Sequence, residues 1–319
     1  MRKPSTRSGL LAIAAASCLA LTACGGGDPL AEPSESAGGG SGDTIVVGGA
    51  NFTEMLVMQQ IYVQLLEDAG YTTSTVTADN REVYFPELGS GDIGVVPEYA
   101  ATLAEFLNVQ ENGADAAPIA TSDAQETVDA ARPLAEAQGV ALLTPAEAAD
   151  QNGYAVTTEF AMANSLTTLS DLAALGQPLA LAATEECSTR SFCQPGLEQT
   201  YGLDITEVLP TGFGTPQTKT AVQGGDAQLG LVATTDGTLD QFDLTILEDD
   251  LGLQLADNLV PAVSADLADD STLTDALDSR ADVLTTEDLV DLNRQVDSER
   301  MLPEDVATAY LTDKGLIEG

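Results

Sequence analysis

Apolar positions along this chain fall into short compact runs that alternate with stretches of helical spacing. Thr44-Ile-Val-Val-Gly48 is a run of strand length. Asn51-Phe-Thr-Glu54 follows and reads as a capping box, with Asn51 as the cap and Glu54 three residues on. Leu56, Ile61 and Leu65 then recur along a helix that stops at Gly70. Ile93–Val96 is a second buried strand, Thr102–Leu107 begins a helix, a helix over about 123–138 ends at Gly139, and Val140–Leu143 is strand-like. The second half repeats the plan. Strands are expected at Tyr154–Thr157, Pro178–Ala182, Gln228–Val232 and Leu244–Leu247; helices are expected at Ser170–Leu175, Pro195–Tyr201, 216–223, 286–298 and 303–314. Such alternation predicts an α/β fold with a mainly parallel sheet.

An internal echo joins the halves. Leu88-Gly-Ser-Gly-Asp-Ile-Gly-Val-Val-Pro-Glu-Tyr99 parallels Val222-Gln-Gly-Gly-Asp-Ala-Gln-Leu-Gly-Leu-Val-Ala233. In each, a helix ends at a Gly-Asp turn and a buried strand delivers side chains at its carboxyl end, where α/β folds place ligand crevices. Two such halves facing each other would make a cleft.

The amino-terminal segment has a different pattern. Arg2, Lys3 and Arg7 precede an apolar stretch from Gly9 to Ala20, and no acidic residue occurs before Asp28. The stretch falls short of the ~20 apolar residues a membrane-spanning helix needs, so it reads as a removable signal over 1–23. Leu21-Thr-Ala-Cys24 resembles the lipobox of bacterial lipoproteins, which would make Cys24 the lipidated first residue of an extracytoplasmic, membrane-anchored protein; the alternative is an ordinary secretory signal with an incidental cysteine. Residues 24–43 are rich in Gly, Ser, Pro and Glu and read as a flexible tether.

Composition narrows the function. With 11 basic and 51 acidic residues, a formal net charge of −40 argues against nucleic acid and against adsorption on anionic lipid. The chain has no histidine, which removes Ser-His-Asp and Cys-His catalysis and every His-ligated metal site. No metal or other cofactor is expected. Cys187-Ser-Thr-Arg-Ser-Phe-Cys193 carries the remaining close cysteine pair; outside the cytosol it reads as a disulfide, because no further metal ligands accompany it. That bond would fix the loop bearing Arg190.

Several segments, in order, resemble substrate-binding lipoproteins of ABC importers for glycine betaine, choline and carnitine. They are Val46-Val-Gly-Gly-Ala-Asn-Phe-Thr-Glu54, Pro97-Glu-Tyr-Ala-Ala-Thr102, Gln151-Asn-Gly-Tyr-Ala-Val156, the Cys187–Leu197 stretch, Thr234-Thr-Asp-Gly237, Leu247-Glu-Asp-Asp250 and Pro303-Glu-Asp-Val-Ala-Thr-Ala-Tyr-Leu311. The resemblance implies a two-lobed periplasmic-binding-protein-like fold of type II, with a ligand cleft between lobes and two hinge crossings near 152 and 259. Lobe 1 would then comprise 44–152 plus 260–319, and lobe 2 residues 153–259. It also implies hinge closure on a small amine solute, delivered to a membrane permease powered by an ATPase.

Site residues follow from the same resemblance. Tyr99 and Tyr154 match tyrosines that surround a quaternary ammonium, a group recognised by aromatic faces because it has no hydrogen-bond donor. Arg190 matches the cation that grips a ligand carboxylate, and Thr102 a hydroxyl that assists it. Asn51 and Thr234 are placed at the cleft, and Lys219 is either a second cation there or a solvated lysine. Three positions depart from the family. Ala50 stands for a lysine, Ala233 for a tyrosine, and Asp257 aligns loosely with another tyrosine. Asp257 in the cleft would suit a cation better than a bare ring does, so the solute is expected to be a cationic or zwitterionic amine. A sensor built on the same cleft is the alternative. An extracellular enzyme is disfavoured by the lack of a Gly-x-Ser-x-Gly or Ser-x-x-Lys arrangement.

Overall fold

The computed structural model describes residues 44–114 and 116–318; the expected signal over 1–23, the tether over 24–43 and the lipidation site Cys24 lie outside them. Each half is built on a five-stranded sheet. In the first, β1 (Ile45–Ala50) lies between β2 (Thr73–Ala78) and β3 (Val95–Tyr99), both parallel to it. β10 (Leu259–Ser264) runs antiparallel between β3 and β4 (Val140–Leu142), giving the order β2-β1-β3-β10-β4. The second sheet has the order β7-β6-β8-β5-β9, from β5 (Asn152–Thr157), β6 (Pro178–Ala183), β7 (Asp204–Pro210), β8 (Leu229–Ala233) and β9 (Leu244–Leu247). Here β5 is the reversed strand, antiparallel to β8 and β9. The reversed strand of each sheet is the one by which the chain arrives from the other half. The two crossings run side by side, with an antiparallel bridge between Ala149 and Asn258 and the Asp150 amide donating to the Asp257 carbonyl at 3.2 Å.

Alternation along the central strands feeds a core on each face of the first sheet. Val95, Leu259 and Val263 point into one cluster, Val96, Val260 and Ala262 into the other. The first face is covered by α1 (Thr53–Asp68), with α9 (Ser271–Asp278), α10 (Thr286–Asp297) and α11 (Pro303–Asp313). Residues of α2 (Arg81–Ser90), α3 (Ala100–Asn112) and α4 (Ala124–Glu136) fill the second cluster. In the other half, α5 (Thr158–Asn164) and α6 (Leu169–Ala174) contribute to one cluster, the short α7 (Gln194–Gly196) runs between two of its members, Cys193 and Leu197, and α8 (Pro216–Gly224) packs on the opposite face. Among the described residues no helix is long and apolar enough to cross a membrane.

The echoed segments occupy equivalent places. α2 closes on Gly91 at φ 86° and α8 on Gly225 at φ 83°, left-handed conformations that glycine adopts without a Cβ penalty. β3 and β8 follow, so Tyr99 and Ala233 end corresponding strands.

Several boundaries depart from expectation. α1 opens at Thr53 with Phe52 as its cap residue and no side-chain cap bond; Asn51 is exposed and does not cap the helix. Glu54 cannot close a capping box, because its carboxylate is buried and held by three other donors. α3 starts at Ala100, two residues before the expected Thr102. β3 starts at Val95, not Ile93, whose side chain is wedged against the Cβ-less Gly48. β2 and β7 were not expected: both are sheet edges, and Val76, the large apolar residue of β2, is 42% exposed.

Candidate functional site

A cavity of about 360 Å³ lies between the two sheets and takes walls from both halves. Of the residues expected at a site, Tyr99, Thr102, Arg190 and Asp257 line it together. Asn51, Tyr154 and Thr234 do not. Tyr154 is buried in the core of the second half, because its place in β5 turns its ring toward Leu231 and Leu247. Its hydroxyl donates to the Phe192 carbonyl at 2.6 Å, and Gln254 Nε2 donates to the same oxygen at 2.9 Å. Tyr154 therefore supports the cavity wall from behind. Thr234 is exposed and belongs to the crossing, donating to Asp150 at 2.9 Å and accepting from the Gln151 amide at 2.9 Å.

The polar end of the cavity is built on the β3–α3 junction. Asp257 Oδ1 accepts from the Thr102 amide at 2.9 Å and from the Thr102 hydroxyl at 3.3 Å. Oδ2 has no donor among the described residues. Asp257 is 5% exposed, and burial pushes its carboxyl up to about 7 against the opposing pull of those bonds and of the Arg81 charge. Arg81 is also buried. It grips Glu98 through Nε and Nη2, the closest contact being 2.7 Å, and donates from Nη2 to Thr102 Oγ1 at 2.9 Å. Burial alone would weaken its hold on the proton, but the Glu98 charge overrides this and raises its pKa. Nη1 has no acceptor among the described residues, and Arg81 is one of the residues that line the cavity.

Three rings form an adjoining wall. Phe52 stands 6.3 Å from Tyr99 and 5.2 Å edge-on to Phe213, centroid to centroid, and all three line the cavity. The Tyr99 hydroxyl is committed to Glu54 at 2.8 Å, so it is the ring that is left for the cavity. Phe213 comes from the other half. It precedes Gly214, whose amide donates to the Leu231 carbonyl at 3.1 Å and on which a Cβ would lie 3.8 Å from the Ala233 nitrogen. Phe213 thus brings an aromatic ring of the other half into the cavity wall. Its signal in the sequence is an aromatic flanked by glycines, Gly212-Phe-Gly214, just before a Pro-led helix.

Two further carboxylates are buried here: Asp150, at the crossing, also lines the cavity, and Glu54, on α1, lies behind it. Glu54 also accepts from Thr235 Oγ1 and Asn293 Nδ2, each at 2.7 Å; Asp150 accepts from Thr234 Oγ1 at 2.9 Å and the Thr235 amide at 3.2 Å. Burial raises both pKa values, and the Glu54 charge raises that of Asp150 further.

The rim joins the halves. Cys187 and Cys193 are bonded, with Cα atoms 5.1 Å apart, and the loop they close carries Arg190 and Phe192. Gly196 lies against this loop so closely that a Cβ would sit 2.2 Å from the Ser191 carbonyl oxygen. Phe192 packs into the second core cluster of the first half. Arg190 does not present a free guanidinium: it pairs with Glu82 at 2.8 Å, and Asn80 Nδ2 donates to Glu186 beside it. Burial opposes the Glu82 charge, yet the Arg190 hydrogen bond and charge hold its carboxyl below the usual range. Both partners are more than a third exposed, so Glu82→Gln is expected to change the melting free energy by less than ~1 kcal/mol in a thermal scan. Lys219 corrects both expectations. It is buried outside the cavity, paired with Asp236 at 2.5 Å and donating to Thr238 at 2.5 Å.

Two sheets of matching topology, joined by paired crossings around a lined cleft, define a two-lobed solute-binding protein. Residues 43–313 match the family described as the substrate binding domain of ABC-type glycine betaine transport systems, and the chain belongs to that family. This is the family read from the ordered segments of the sequence. The chain is 27% identical over 297 residues to the glycine-betaine-binding protein of Pseudomonas aeruginosa, covering 89% of this chain and 92% of that one. It is 27% identical over 282 residues to the glycine betaine-binding protein YehZ of Escherichia coli, covering 85% and 90%. The structure of apo YehZ superposes with a TM-score of 0.59, covering 86% of this chain and 99% of that chain. A structure of a glycine betaine/carnitine/choline ABC transporter shares the fold at a TM-score of 0.63 and 19% identity, covering 85% and 99%. The chain is a substrate-binding protein of an ABC transporter.

Proposed function

We propose that this protein captures a small cationic or zwitterionic amine outside the cytoplasm and delivers it to an ABC permease driven by its ATPase. The observation that carries this reading is Asp257, buried in a cleft also lined by the rings of Phe52, Tyr99 and Phe213, with no donor to Oδ2 among the described residues. A quaternary or protonated amine placed there meets a carboxylate and aromatic faces together. Arg81 Nη1 is positioned to receive a carboxylate on the same solute. In this reading lobe 1 (44–152 plus 260–319) and lobe 2 (153–259) close on the solute and release it unchanged, without enzymatic turnover. Lipidation of Cys24 and the 24–43 tether would hold the receptor near its permease.

Isothermal calorimetry with glycine betaine, choline, carnitine and ergothioneine tests the proposal. At least one is expected to bind. Affinity for a permanent cation is expected to tighten about tenfold from pH 6 to pH 8, because Asp257 loses its proton through about 7. Silence from all four rejects the amine reading.

A further inference from the structure

The cavity is longer than an amine headgroup requires. Beyond Thr102 it follows one face of α3, lined in turn by Phe106, Val109 and Gln110, and it reaches Ala114 past the helix end. These positions are spaced by three and four residues, the spacing of a single helix face. From Thr102 to Gln110 the helix rises about 12 Å at ~1.5 Å per residue. The facing wall is the disulfide-closed loop, with Phe192 and the bonded Cys187 and Cys193. Phe106 is fixed edge-on to Phe85 at 5.5 Å, with the Arg81 guanidinium 5.8 Å over its ring. Charge is concentrated at the Asp257 end and at the rim; between them the same face of α3 also carries Glu105, whose Oε1 is taken by the Ile119 and Ala120 amides at 2.7 and 2.8 Å, beside the apolar Phe106 and Val109.

Size points the same way. At about 360 Å³ the cavity matches roughly twelve liquid waters at ~30 Å³ each. It falls within the range of about 300–1,000 Å³ typical of sites for drug-sized ligands. Glycine betaine has its quaternary nitrogen two bonds from its carboxylate carbon. Set against Asp257 and the three rings, it would leave the α3 lane empty.

The geometry points to a solute with two parts: an amine cation held at Asp257, and an extended apolar arm, acyl or aromatic, lying along α3 over Phe106 and Val109. This inference rests on the amine reading of the cleft and names the class of amine it takes. Val109 and Phe106 then set specificity for the arm, while Asp257 sets it for the charge.

Calorimetry on the purified protein with glycine betaine, choline, butyrylcholine and benzoylcholine separates the two claims. The esters carry the same cation as choline with an added arm. They are expected to bind at least about tenfold tighter than choline, since each buried methylene contributes to transfer out of water. In Val109→Trp, which fills the lane, the ester-to-choline affinity ratio is expected to fall to about one. Choline and its esters binding the wild-type protein equally well would overturn the arm and leave the amine reading standing. Silence from all four compounds would overturn both. The wild-type comparison decides the matter even if Val109→Trp does not fold.

Discussion

Asp257→Asn is expected to abolish capture of a cationic solute and, at the same time, to make the unliganded protein more stable at pH 8. The two effects have one cause. The Asp257 carboxyl is pushed up to about 7 because it is buried, and the two bonds from Thr102 and the charge of Arg81 only partly offset that burial. A carboxyl whose folded pKa lies above its unfolded value stabilises the fold at low pH, and that contribution is lost as pH rises from about 4 through about 7. At pH 8 the ionised, unliganded site therefore costs on the order of 4 kcal/mol, taking ~1.4 kcal/mol per pKa unit. Asn keeps an acceptor for Thr102 and removes the charge. Thermal melts should show Asp257→Asn several degrees above wild type at pH 8, with the gap closing at pH 5. Affinity for the cation should fall by about two to three orders of magnitude, as expected when one member of a desolvated charge pair is removed. Equal melting points at pH 8 would show that the site does not hold its carboxylate under strain for the ligand.

That trade-off also explains which parts of the molecule were legible in the sequence. Strands that alternate between two cores, such as Val95-Val96, are apolar throughout, and helices on both faces follow from them; β10 over Leu259–Ser264 is equally apolar, but from the sequence its segment is expected only as a crossing near 259. β2 carries no apolar signal because an edge strand need not be apolar: Thr73-Ser-Thr-Val-Thr-Ala78 gains its place by pairing along the whole of β1. Tyr99, Thr102 and Asp257 are cleft residues by the family resemblance, and in the fold they gather at one place: Tyr99 ends β3, Thr102 lies in the first turn of α3, and Asp257 precedes β10. Tyr154 was readable as an aromatic in a family motif, but strand parity turns it inward. Phe213 and Arg81 were not singled out. One lies in a loop whose position depends on pairing with a distant strand, and the other draws its meaning from Glu98, seventeen positions on. Arg190 shows the opposite failure. The cysteine pair that closes its loop is plain in the sequence, yet its partner Glu82 belongs to the other half and is visible only once the halves meet.

Glu98→Ala is expected to be the most destabilising single change in the cleft wall. Glu98 is fully buried on β3, where a carboxylate is tolerated because Arg81 binds it through two nitrogens and the Tyr84 hydroxyl donates to it at 2.9 Å. Removing it leaves the Arg81 charge buried with Thr102 as its remaining bonded partner among the described residues. Breaking a buried pair in this way costs about 3–5 kcal/mol, far more than the exposed Arg190–Glu82 pair contributes. Replacing both members with apolar residues, Arg81→Met with Glu98→Leu, should recover most of that loss, because no uncompensated charge remains. The double variant then separates structure from recognition. If Arg81 Nη1 receives the carboxylate of a zwitterionic solute, the refolded double variant should still bind choline but lose its affinity for carnitine or glycine betaine. Chemical denaturation of the single and double variants, followed by calorimetry with the two ligand types, measures both effects. An unchanged ratio of zwitterion to cation affinity in the stable double variant would return the carboxylate-binding role to Arg190, and require Glu82 to release it when the solute arrives.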